Sequence, residues 1–284
     1  VISSAPRAPR KVTPVTTAPE TTLTTRTSSL TVRPDLGARL SSLRVGEYEL
    51  LRPGDHYGSF PMAPFCGRTR DGRFTNGGTI HQLPLNDDPN AIHGTARDHQ
   101  WATAPAPESE DGRPTAAFTY DLAEPWPYTG RVTQLMELGE DALTLRMGIE
   151  TYGDSFPGQV GWHPWFRRNL GKGGEDVRIA FQPGWQEERG ADHLPTGRRI
   201  DPLPGPWDDC FGMPDGVTVL LTWPGELELT VTSAEKWVVV YDEQADWVCV
   251  EPQTGPPNGL NSQPRLITPI EPLEASTTWS WRLL

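Results

Sequence analysis

Two short stretches carry residue types able to move protons between oxygens. Val250-Glu251-Pro252-Gln253 closes an apolar run that begins at Trp247, setting a carboxylate at the end of a strand. Gly161-Trp162-His163-Pro164-Trp165-Phe166 sets an imidazole in an aromatic, proline-stiffened loop. Together they could take a proton from one oxygen while giving one to another, which is general acid–base catalysis. Each also has an ordinary structural reading: a Glu at a strand end is commonly a solvated rim residue, and a His beside Trp a packed, hydrogen-bonded side chain. Two further polar clusters shift the balance toward chemistry, Asn86-Asp87-Asp88-Pro89-Asn90-Ala91-Ile92-His93-Gly94 and Trp207-Asp208-Asp209-Cys210-Phe211. An imidazole acts as an acid only when protonated, and a nearby carboxylate favours that state, so Glu251 and Asp208 are the candidates for holding His163 charged.

Such groups need a rigid frame. The 284 residues include 30 Pro and 28 Gly, which leave little room for long helices. Short apolar runs between such breakers suit strands. Leu143, Leu145, Met147 and Ile149 alternate with Thr144, Arg146, Gly148 and Glu150, the period of a strand with one buried face. Strands are expected over 142–151, 131–138, 237–241 and 247–250 among others, and Asn76-Gly77-Gly78 marks a tight hairpin. So many strands must bury their apolar faces against one another, which predicts an all-β fold: one large antiparallel β-sandwich with the polar motifs at strand ends and in loops. Residues 1–20, Thr/Pro-rich with almost nothing to bury, read as a disordered tail, and residues 21–284 as one domain.

The formal net charge of −12 opposes approach to phosphate backbones and anionic lipid, so neither nucleic acid nor membrane is an expected partner. A neutral small molecule fits better. No stretch approaches the roughly 20 apolar residues of a membrane span, and no apolar signal core precedes the strands, so a cytoplasmic location is expected. Cys66, Cys210 and Cys249 form an odd set without a close pair, which favours reduced thiols over a disulfide framework or zinc knuckle. The six His lack close ligand spacing, so no metal is expected.

In chain order the clusters run from Cys66-Gly67-Arg68-Thr69-Arg70 through Pro89-Asn90-Ala91-Ile92-His93-Gly94, His163-Pro164-Trp165-Phe166 and Trp207-Asp208-Asp209 to Glu251-Pro252-Gln253-Thr254 with Pro257-Asn258. This succession resembles the aldose 1-epimerase family, the galactose mutarotases, from about Thr21 to Leu284. The resemblance implies a large β-sandwich that interconverts α and β anomers of a small-molecule sugar, a free aldose, as a monomer or homodimer and without cofactor or metal. It matches Glu251 to the base that takes the anomeric hydroxyl proton, His163 to the acid that protonates the ring oxygen, and His93 to a second histidine that holds the sugar. Arg68 and Asp208 match positions that hydrogen-bond sugar hydroxyls, and Gly67 and Asn90 join them as substrate-binding candidates. Of the 11 Trp, most are expected in the core, with Trp165 the first candidate for a platform under the sugar's C–H face. Departures from the family pattern are Gly67 where Asn is common, Trp165 where Tyr is common, and Val at about position 238 for a sugar-binding Gln. Two alternatives stand beside this reading. One is a hexose-6-phosphate 1-epimerase using Arg68, Arg70, Arg73, Arg97, Arg167 and Arg168. The other is a non-catalytic carbohydrate-binding or sensor protein, which would not need both Glu251 and His163.

Overall fold

The computed structural model describes residues 19–171 and 173–284. The tail expected over residues 1–20 lies outside them apart from Pro19 and Glu20, which are exposed and lead into the first strand, Thr21–Thr24.

Two large antiparallel sheets carry the fold. The eleven-stranded sheet runs Thr21–Thr24, Ser28–Arg33, Arg39–Val45, Ser59–Met62, Gly161–Arg167, Trp247–Gln253, Trp237–Tyr241, Asp208–Gly212, Trp185–Arg189, Pro195–Ile200, with Tyr48–Glu49 paired to Arg39–Val45. The eight-stranded sheet runs Ala102–Ala104, Thr115–Asp121, Gly130–Leu138, Ala142–Thr151, Leu273–Leu283, Leu227–Ser233, Val217–Trp223, Arg178–Phe181. Their inner faces share one apolar core, in which Val238, Val240, Val248 and Val250 of the larger sheet belong to the same cluster as Leu143, Leu145, Met147 and Ile149 of the smaller. The four alternating residues predicted to face inward are all buried.

Two hydrogen bonds and a ring contact reinforce the stacking. Trp162 Nε1 donates to Gln134 Oε1 at 3.2 Å, Gln134 Nε2 donates to Ala38 O at 3.2 Å, and the Phe166 ring meets Trp279 edge-on at 5.2 Å. Each link joins a strand of one sheet to a strand or turn of the other layer, so the site-bearing strands cannot shift without opening buried hydrogen bonds. The predicted hairpin is present, with Arg73–Asn76 paired to Thr79–Gln82 across Gly77 and Gly78 at φ +55° and +83°, angles that suit glycine. Among the described residues no helix is long and apolar enough to cross a membrane.

Two expectations about the motifs need correction. His163 sits within the strand Gly161–Arg167, not in a loop, and the Glu251 strand does not end at Val250 but continues to Gln253. Proline is uncommon inside a sheet because it lacks a donor. Here Trp165 N–H donates outward to Gly58 O at 2.8 Å, and Thr254 N–H donates to Val160 O at 2.9 Å. Since donors alternate sides along a strand, the missing N–H groups of Pro164 and Pro252 both fall in the seam between these two strands. The outer edges stay paired, Pro164 with Ser59 and Pro252 with Val238, so both strands persist through their prolines.

Candidate active site

Strand register assembles the site as a row across the outer face of the larger sheet. Gly161 pairs with Gln253 and Trp165 with Cys249, which sets His163 across from Glu251 midway between them. His163 pairs on its other side with Phe60, and Glu251 with Val239, which pairs with Cys210. The Leu40–Ser59 pair brings Arg39 beside Phe60, one step further along the same row. The row forms the floor of a cavity of about 450 Å³, walled by Gly67, Arg68, His93, Trp165, Asp208 and neighbouring side chains. A cavity of this size is in the range that takes small molecules.

His163 Nε2 lies 3.1 Å from Glu251 Oε1, and both side chains are buried. Gln253 Nε2 reaches Glu251 Oε2 at 3.4 Å. The imidazole is stacked between Phe60 at 4.7 Å and Trp165 at 5.0 Å, with the His93 ring edge-on at 4.9 Å. This packing removes water from both groups and disfavours charge on either. Burial, with Asp208 adding to it and Arg68 opposing, pushes the Glu251 carboxyl well above its usual range. Burial, then the positive charges of Arg97 and Arg39, pushes His163 down to about 3. The expectation that a carboxylate would keep His163 charged is thus reversed, because desolvation outweighs attraction. Both shifts favour the neutral forms, a protonated carboxyl beside an unprotonated imidazole. His93 is held neutral in the same way, by burial first and then by His163 and the nearby arginines.

His93 is held by an unusual turn. It has φ +61°, and its N–H donates to Gly67 O at 3.0 Å. Gly94 follows at φ +72°, where an added Cβ would lie 2.0 Å from Ala63 O. Gly67 has φ +60°, and a Cβ there would meet Pro257 at 2.9 Å. It therefore supplies backbone to the wall, and no side chain replaces the Asn common in the family.

The other candidates fall in different places. Arg68 lines the cavity with its Nε on Asp87 Oδ2 at 2.6 Å, and Asp208 lines it with Oδ2 on Arg189 Nη1 at 2.5 Å. Trp165 lines it as well, whereas Trp101 and Trp162 are core and Trp207 packs on Phe181 and Phe211. Asn90 is not brought to the cavity: it is buried, and its Oδ1 accepts the Asp71 N–H at 3.2 Å. Its role is to fold the loop before His93. The cavity-facing valine is Val239, paired with Glu251, while Val238 points into the core; a one-residue offset changes face in a strand.

Sequence reasoning missed Arg39, Phe60, Arg189 and Gln253 as lining residues. Gln253 follows Glu251 by two and so shares its face, a signal that was readable. The other three depend on pairing between distant strands. His163, Cys249 and Glu251 bring ligand-type atoms within 4.8 Å of one another, a grouping hidden from linear spacing because it spans two strands. These residues could hold a metal ion. The Cys249 thiol is pushed well up by burial and then by Glu251, so binding would have to displace its proton.

This two-sheet sandwich has the fold of the galactose mutarotase-like proteins. A galactose mutarotase-like protein from Clostridium acetobutylicum superposes with a TM-score of 0.81 at 17% identity, covering 90% of this chain and 93% of that one. Galactose 1-epimerase from Lactobacillus acidophilus superposes with a TM-score of 0.79 at 19% identity, covering 93% and 94%. The family model for aldose 1-epimerase matches residues 19–268, and the chain belongs to that family. No curated protein matches the sequence.

Proposed function

We propose that this protein is an aldose 1-epimerase that interconverts the α and β anomers of a free aldose by acid–base ring opening. The observation that carries this reading is the 3.1 Å contact between His163 Nε2 and Glu251 Oε1 on the floor of the cavity. A proton shift across that contact turns the neutral pair into a carboxylate and an imidazolium, so base and acid arise together at no net charge. Glu251 then takes the proton of the anomeric hydroxyl as His163 gives its proton to the ring oxygen. The C1–O5 bond breaks to leave an open-chain aldehyde, C1–C2 rotates, and the reverse transfers close the ring on the other face. Each well-placed acid or base contributes roughly 10² to 10⁴ in rate. In this reading His93 hydrogen-bonds the sugar as a neutral imidazole, Arg68 and Asp208 bind hydroxyls, and Trp165 underlies a C–H face.

The phosphate alternative draws little support from the arginines it invoked. Arg70 is paired with Asp192 at 2.6 Å, Arg73 with Gln82 at 2.9 Å, and Arg168 with the Gln244 and Asp242 carbonyls. Arg68 and Arg97 do line the cavity, each beside its own carboxylate. The test is anomer exchange followed by NMR over a panel of free and phosphorylated sugars. The protein should accelerate exchange of at least one free aldose, and Glu251→Gln should lower that rate by about 10² or more. A panel on which the protein gives no acceleration would contradict the enzymatic reading.

A further inference from the structure

One charged group on the cavity floor has no counter-ion. Arg39 is 6% exposed, its Nη1 donates to Tyr57 O at 2.8 Å, and its Nε has no hydrogen-bond partner. Among the described residues no salt bridge reaches it. Arg97 lies alongside: the two guanidinium carbons stand 4.8 Å and 5.2 Å from the Phe60 ring centre. The acidic groups that face this pair are Asp98, with one oxygen 3.4 Å from Arg97 Nε, and Asp55, which is 73% exposed and 3.6 Å from Arg33. Burial and then repulsion from Arg97 push Arg39 down to about 10, with Asp98 and Asp55 opposing. The Nε is sealed from the cavity, but Arg39 lines it. A guanidinium buried without a carboxylate beside it is costly, and an anion entering from the cavity offsets that cost.

Where that anion sits on a sugar follows from the row. From one end it reads Glu251, His163, Phe60, Arg39, with neighbouring strands about 4.8 Å apart. A pyranose reads O1, C1, O5, C5, C6. With Glu251 at O1 and His163 at O5, an assignment that rests on the function proposed above, C6 extends past His163 toward Phe60 and the two arginines. Asp55 is mostly exposed and lies by Arg33, so within the cavity the two guanidinium groups face the Asp98 carboxylate and leave a positive balance, which complements a monoanion. A planar carboxylate also matches the fork of an arginine in two-pronged fashion. We propose that the substrate of this site is a hexuronate, an aldose whose C6 is a carboxylate held by Arg39 and Arg97. The chain's overall charge of −12 does not oppose this, because the local charge at the row's end is positive.

The test compares a hexuronate, its parent hexose and the hexose 6-phosphate, by anomer exchange and by calorimetric binding. Hexuronate should exceed the parent hexose at least about tenfold in both kcat/KM and affinity. Arg39→Gln and Arg97→Gln should each lower the hexuronate-to-hexose ratio by about tenfold, with Arg97→Lys retaining part of it. Should Arg39→Gln fail to fold, the Arg97 variants and the wild-type panel still decide. Equal affinity for hexuronate and hexose, or a ratio that neither variant moves, would overturn the proposal, as would preference for the 6-phosphate. Tight hexuronate binding without anomer exchange would leave the anion site standing and remove the enzymatic reading instead.

Discussion

Glu251 and His163 face each other in register and are buried together, Nε2 3.1 Å from Oε1. That has a consequence for pH. If His163 had the ordinary value near 6.5 and acted from a standing imidazolium, activity would rise roughly fourfold from pH 7 to pH 5.5 as it protonated. In the structure His163 lies at about 3 and Glu251 well above its usual range, both because burial disfavours charge. The one-proton state then persists from about pH 3 up to the raised carboxyl value. We predict that kcat/KM stays level from pH 5 down to pH 4, measured by anomer exchange in buffers of constant ionic strength. A fall of about twofold or more over that interval would show that Glu251 titrates as an ordinary carboxylate base does.

At the scale of elements, the prolines and glycines of the motifs shape backbone more than they bind. Pro164 and Pro252 leave a stretch of the seam beside the proton pair without ladder hydrogen bonds while the outer edges of both strands stay paired. Gly94 lets the loop pass within contact of Ala63 O, and this holds His93 against Phe60 and His163. Gly94→Ala should cost roughly 2 kcal/mol or more in denaturant unfolding and lower activity by moving His93. Gly77→Ala is the comparison, since a Cβ there meets nothing within 4 Å. It should cost about 1 kcal/mol from the positive φ alone and leave activity intact. Equal costs at the two sites would mean that the close approach at Gly94 is relieved elsewhere. Period-2 alternation and Gly-Pro punctuation made these elements legible: 142–151 and 237–241 coincide with the strands Ala142–Thr151 and Trp237–Tyr241. Pro164 argues against a strand when the side of its missing donor is unknown, which is why the sequence alone suggests a loop at His163.

Over the whole molecule, two sheets bury one face of each site-bearing strand and thereby fix the register of the other. The β-sandwich and the identities of Glu251, His163, His93, Arg68, Asp208 and Trp165 as cavity residues could be anticipated from motifs in chain order. Arg39 and Phe60 could not, because they enter the row through pairings between strands distant in sequence, and neither lies in a motif. Asn90 looked like a ligand because its motif is polar, yet its side chain folds the loop that carries it. The charge state of the pair depended on burial, which composition does not give. The central claim, that Glu251 and His163 act as one proton-transfer unit, is tested most directly by a double-mutant cycle on anomer exchange. Glu251→Gln and His163→Asn should each lower kcat by about 10² or more, and the double variant should lose little beyond the worse single one. Full activity in either single variant, or losses that multiply in the double, would contradict the account.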